Sequence, residues 1–146
     1  MLDVAEAIRA EVNRAAAVFR RWSDDEVSSP VGTGKWSRKE ILGHLIDSAS
    51  NNHQRVVRGQ LSNSLVFGYD QVAWVEANGY RRRVWSELVE LWITLNQHFA
   101  AAVELVPTGK LGTPCAAGEE EPKPLEWWLR DYVRHLKHHV EQIERG

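Results

Sequence analysis

Four times along this chain, apolar residues recur at alternating intervals of three and four. That interval holds one stripe on one side of a helix, so each segment must bury its stripe against other helices. The first stripe is Ala5, Ile8, Val12, Ala15, Phe19 and Trp22, on a helix expected from about Leu2 to Trp22. The second is Leu42, Leu45, Ala49, Asn52 and Val56. It starts at Ser37-Arg38-Lys39-Glu40, a capping box in which Ser37 and Glu40 satisfy each other's free amides. The third, Trp85, Leu88, Trp92, Leu95, Phe99, Ala102 and Val106, closes at Pro107. The fourth opens near Pro124, a residue suited to a first helical turn, and continues through Leu129, Val133, Leu136, Val140 and Ile143. No segment reads as a strand. The 146 residues are expected to form one all-α domain, a four-helix bundle with long inter-helix connections.

Two connections exceed the roughly 2–8 residues usual in a simple bundle. Residues 61–81 are expected to hold a short helix around Trp74, and residues 107–123, rich in Gly and Pro, read as irregular. At least one should cross the bundle or cover one end. Seven tryptophans point first to an aromatic core. A single cysteine, Cys115, excludes a disulfide framework and fits a reducing compartment. The net charge of −2 offers no field for nucleic acid, and Arg81-Arg82-Arg83 reads as a solvated helix start. No run of 18 apolar residues could span a bilayer, and the opening residues, with Asp3 and Glu6, do not read as a secretory leader. A cytoplasmic protein without nucleic-acid or membrane partners is therefore expected.

The histidines carry the chemistry. His135 and His139 lie one turn apart on one helix face, and each directly precedes a stripe residue, Leu136 and Val140. His44 stands in the same relation to Leu45. All three are expected at the edge of the buried face, pointing partly inward. A histidine pair at this spacing converges readily on one ion, and a third imidazole from a facing helix leaves coordination positions open, as in catalytic sites. Spacing alone leaves the ordinary reading open, in which each ring is simply hydrogen-bonded. His53, nine residues past His44, is roughly 13 Å along the axis and cannot share its ion. His98 reads as an ordinary partly exposed residue and His138 as a surface residue.

The segments KWSRKEILGHLIDSASNNHQR, YDQVAWVEANGY and LEWWLRDYVRHLKHHVEQI resemble, in order, the signatures of the DinB-like superfamily, which includes YfiT-like metal-dependent hydrolases. The resemblance implies a four-helix bundle with a histidine triad at one end. By position His44 matches the second-helix ligand, and His135 and His139 match the last-helix pair. It further implies one divalent ion per chain, nickel or zinc, and a homodimer. Some relatives are thiol S-transferases or mycothiol-dependent isomerases, so a small-molecule substrate and a low-molecular-weight thiol are the implied partners. Non-catalytic metal binding, or a binding role in stress response, is the competing class.

Metal-bound imidazoles commonly donate their second N–H to a neighbouring acceptor. Asp47, Asp131 and Gln142, three or four residues from the histidines, are candidates for that support, and Ser48 and Tyr132 for substrate contact. Glu119-Glu120-Glu121 reads as a solvated run and Cys115 as a bystander thiol in a mobile loop. Closure of the two long connections over the site would exclude water, which suits thiol transfer better than hydrolysis.

Overall fold

The computed structural model describes all 146 residues. The four long helices form where the stripes lie: α1 (Leu2–Phe19), α3 (Arg38–Gln60), α5 (Trp85–Glu104) and α6 (Leu125–Arg145). Two short helices join them, α2 (Asp24–Ser28) and α4 (Gln71–Asn78), the latter around Trp74 as expected. The capping box at Ser37 forms in full, and Arg81 binds the same Glu40 carboxylate at 2.6 Å. A second capping box, Ser23 with Glu26, starts α2. In turn α2 caps its neighbour: the Asp24 carboxylate accepts a hydrogen bond from the Trp85 amide at 2.7 Å, where α5 begins.

Around the bundle, α1 packs on α5 and α6, and α3 packs on the same two helices from the other side. The first and last consecutive pairs of long helices, α1 with α3 and α5 with α6, therefore stand diagonally across the core, whereas α3 and α5 are neighbours. A diagonal step needs a longer path than a step to a neighbour, which accounts for the length of residues 105–124. The buried stripes interdigitate in one core that includes Ile8, Phe19, Leu45, Leu88, Trp92, Phe99, Leu129 and Leu136. Burying each such side chain contributes about 1.5–3 kcal/mol, the main favourable term in this fold.

Several expectations are corrected. The first helix stops at Phe19 and the third at Glu104, two or three residues short of the stripe ends, although Trp22 still stacks on Phe19 at 5.5 Å. Strands do occur. β1 (Leu65–Val66) pairs in parallel with β2 (Pro114–Ala116), and β2 pairs antiparallel with β3 (Lys123–Pro124). This small sheet ties the two long connections together, and Cys115, expected in a mobile loop, is fully buried in β2. Of the seven tryptophans only Trp85 and Trp92 are buried, in a cluster with Phe19, while Trp74 and Trp127 are exposed.

Candidate metal centre

Helix α3 is enclosed on every side along its first half, with all residues from Lys39 to Ala49 buried. Helices α5 and α6 cover two of its faces, and α4 with the turn at Tyr80–Arg82 covers another. Gly43 makes the last contact possible: a Cβ there would lie 2.1 Å from the Tyr80 ring. His44 is consequently 1% exposed, buried outright rather than at the edge of the apolar face as expected. His135 and His139 sit one turn apart on α6, half-buried, and face His44 across the α3–α6 contact.

The three rings converge. Nε2 of His44 lies 3.1 Å from Nε2 of His135, and one nitrogen from each ring falls within 4.8 Å of the other two. Ring centroids are 4.5–5.0 Å apart. Burial, reinforced by the neighbouring rings, pushes the His44 imidazole down to about 3 and His135 to about 4. His139 is lowered for the same reason, with its Gln142 hydrogen bond opposing the shift. At neutral pH the rings are therefore uncharged, and each offers a lone pair. Two ring nitrogens, Nδ1 of His44 and of His135, are buried with no hydrogen-bond partner, so the protein's own groups do not satisfy this cluster. An ion held tetrahedrally at about 2.0–2.1 Å from imidazole nitrogens separates them by about 3.3 Å, close to the His44–His135 spacing. A set of neutral nitrogens with no acid between them fits a divalent cation.

Of the residues named for support, Gln142 lies against His139. Its Oε1 lies 2.8 Å from Nδ1 of His139 and can only accept, so Nδ1 carries the proton and Nε2 is left free to ligate. Asp47 does not reach His44. Its Oδ1 accepts from the Tyr80 hydroxyl at 2.6 Å and from Asn78 at 3.1 Å, because its face of α3 packs on α4 and the following turn. Asp131 does not bond His135 either, since its Oδ1 is taken by Arg134 at 2.8 Å.

Beside His135 opens a cleft of about 140 Å3 lined by Ser48, Asn52, Arg55, Gly68, Tyr69, Gln71, Ala117, Trp128, Asp131, Tyr132 and His135. Both long connections reach it and meet there: Gly68 from one lies so close to the Ala117 carbonyl of the other that a Cβ would be 1.9 Å from that oxygen. Ser48 lines the cleft. Tyr132 does so only with its ring, because its hydroxyl donates to Asn96 Oδ1 at 2.6 Å in the core. Arg55, Tyr69 and Trp128 were not singled out by sequence. Arg55 directly precedes the stripe residue Val56, the relation that marked the three histidines, so a signal for it was present.

The remaining histidines are not part of the converging set, although the His138 ring lies 4.9 Å from that of His139. His53 and His98 stack on each other at 4.4 Å, and His138 is exposed. Arg81–Arg83 and Glu119–Glu121 lie on the surface.

A bundle with a diagonal chain path and a three-histidine cluster between its second and last long helices defines the class of protein. The profile of the DinB superfamily matches residues 7–143, and the chain belongs to that superfamily. Its fold is similar to that of YfiT from Bacillus subtilis, "a probable metal-dependent hydrolase with an unusual four-helix bundle topology". The two share 23% identity at a TM-score of 0.82, over 99% of this chain and 82% of that one. No curated protein matches the sequence. No helix is long and apolar enough to cross a membrane.

Proposed function

We propose that this chain is a metal-dependent enzyme acting on a small molecule, with one divalent ion, zinc or nickel, held by His44, His135 and His139. The observation that carries this reading is the convergence of three neutral imidazoles beside a cleft. Bound there, such an ion supplies Lewis-acid activation of a nucleophile.

The chain's own residues supply the rest. Gln142 fixes the tautomer of His139. Ser48, Asn52 and Trp128 form walls against which a substrate lies next to His135. Asp131 places a carboxylate in the same cleft; Arg134 engages its Oδ1 and leaves Oδ2 to accept a proton from the attacking group. The cleft opens to solvent, so water has access, and hydrolysis takes precedence over the thiol transfer favoured by a closed site. YfiT, the "probable metal-dependent hydrolase" of similar fold, supports the same order. Transfer to a low-molecular-weight thiol is the second reading, favoured by the polar groups of Ser48, Asn52 and Gln71 along the wall. A cytoplasmic homodimer completes the proposal, and light scattering on the purified protein tests the dimer.

The test is turnover by zinc- and nickel-loaded protein on a panel of esters and amides, and on electrophiles with and without an added thiol. Hydrolysis that disappears with chelator and in His135→Ala supports the proposal. Turnover that requires the thiol reverses the order, and turnover unaffected by chelator overturns the metal-dependent reading.

A further inference from the structure

Arg55 and Asp47 are both buried without an opposite charge, and of the two only Arg55 lines the cleft beside His135. Arg55 is 4% exposed, and burying a guanidinium costs several kcal/mol unless an acid pairs with it. None does. Its Nη1 donates to the Asn52 amide oxygen and its Nη2 to the Phe67 carbonyl at 2.9 Å. Its plane lies over the Trp128 ring, 4.2 Å from the centroid. All of these partners are neutral, and Nε is buried with no acceptor at all. The nearest acid on the adjoining loop, Glu120, instead accepts a hydrogen bond from the Ala117 amide. Arginine keeps its proton in proteins, so a full positive charge and a free donor remain inside the wall of the cleft that also contains His135.

Unpaired buried charges of this kind are retained where a ligand provides the counter-charge. We infer that Arg55 is the anchor for a carboxylate group on the substrate, which lies beside the stacked Arg55–Trp128 pair with its reacting end toward His135. This deepens the proposed enzymatic role and names the substrate class, a small monocarboxylate. One unpaired cation matches one negative charge. A dianionic phosphate would need a second cation beside Arg55; the ion proposed at the histidines faces the reacting end, and the other charged side chain at the cleft is the acid Asp131, itself paired with Arg134. Cation and aromatic face together favour a flat acid over a bare one.

The probes are acetate and benzoate, each against its neutral amide, acetamide and benzamide. Binding is followed by calorimetry and by the Arg55 Nε–H resonance, on metal-free and on zinc-loaded wild-type protein. The expected result is that both acids bind and shift the Nε–H signal, benzoate more tightly than acetate. The amides should bind at least about tenfold more weakly, since a charge-assisted pair is worth about twice a neutral hydrogen bond. Arg55→Met should lose benzoate binding, and Arg55→Lys should keep part of it, both with unchanged zinc content. Acid and amide binding alike, or an Nε–H signal that benzoate leaves in place, overturns the inference whether or not the variants fold. Carboxylate binding by metal-free protein together with absent zinc binding would retain this inference and remove the metal-dependent reading, so the two failures are distinguishable.

Discussion

Nε2 of His44 and Nε2 of His135 stand 3.1 Å apart across 91 residues of sequence, while the opposite nitrogen of each ring is buried without a partner. A core built only for stability would be expected to pair those nitrogens with acceptors or replace the rings with apolar groups, because orphaned buried donors cost about 1–3 kcal/mol each. Two neutral rings whose Nε2 atoms meet at this distance are able to share a cation, and their burial has measurable consequences.

The metal-free protein should lose stability as pH falls below about 6.5. The unfolded chain takes up protons on His44 and His135 at their ordinary value of 6.5, whereas burial in the fold lowers them to about 3 and about 4. Above 6.5 neither state is protonated and there is no effect. Between 6.5 and about 4 each ring removes about 1.4 kcal/mol of stability per pH unit. Asp47, raised by burial to about 6, acts in the opposite sense below that pH, but it is one group against two. Urea unfolding at pH 7.5, 6 and 5 measures this, and stability that is flat or rising toward pH 5 would show that the rings are not held neutral.

Gly43→Ala tests the packing over His44. In an open helix the change would stabilise by up to about 1 kcal/mol. Here the new Cβ would lie 2.1 Å from the Tyr80 ring, whose hydroxyl is bonded to Asp47, so overpacking at about 1–3 kcal/mol outweighs the gain. A lower urea midpoint with unchanged slope is expected; a stabilised variant would place Tyr80 elsewhere.

Gln142→Leu should leave the fold intact and weaken metal binding about 10–100-fold, the usual effect of losing a ligand's hydrogen-bond partner. Gln142 accepts from His139 Nδ1, and without it the ring is free to adopt the tautomer that protonates Nε2. Competition titration with a chromophoric chelator reads the affinity, and an unchanged value would remove Gln142 from the site.

The long helices were legible because each repeats its stripe over four or more turns. What escaped was either short or set by distant contacts. The helix α2 has five residues and the strands two or three, too few for any period, although the Ser23–Glu26 spacing was itself a start signal. The stripe gave His44 its direction but not its depth, which depends on α4 and Tyr80 closing over α3. Asp47 was within reach of His44 along the helix, yet a tyrosine 33 residues away holds it. His135 and His139, fixed by a single turn of α6, needed no such knowledge.

Chelation should lower the melting temperature without unfolding the chain, because the core of Trp92, Phe99, Leu45 and their neighbours does not include the ion. An ion that binds only the native state adds about 4 kcal/mol at a thousandfold excess over its Kd. Circular dichroism of the chelated protein should remain helical at room temperature. A coil spectrum would make the metal structural.

Most direct is the metal content of protein purified without a nickel column, by inductively coupled plasma mass spectrometry. Wild type and His138→Ala should each carry about one equivalent of a divalent ion, and His44→Ala, His135→Ala and His139→Ala should fall well below it. A His135→Ala protein that is folded and still holds its full equivalent would contradict the three-histidine centre.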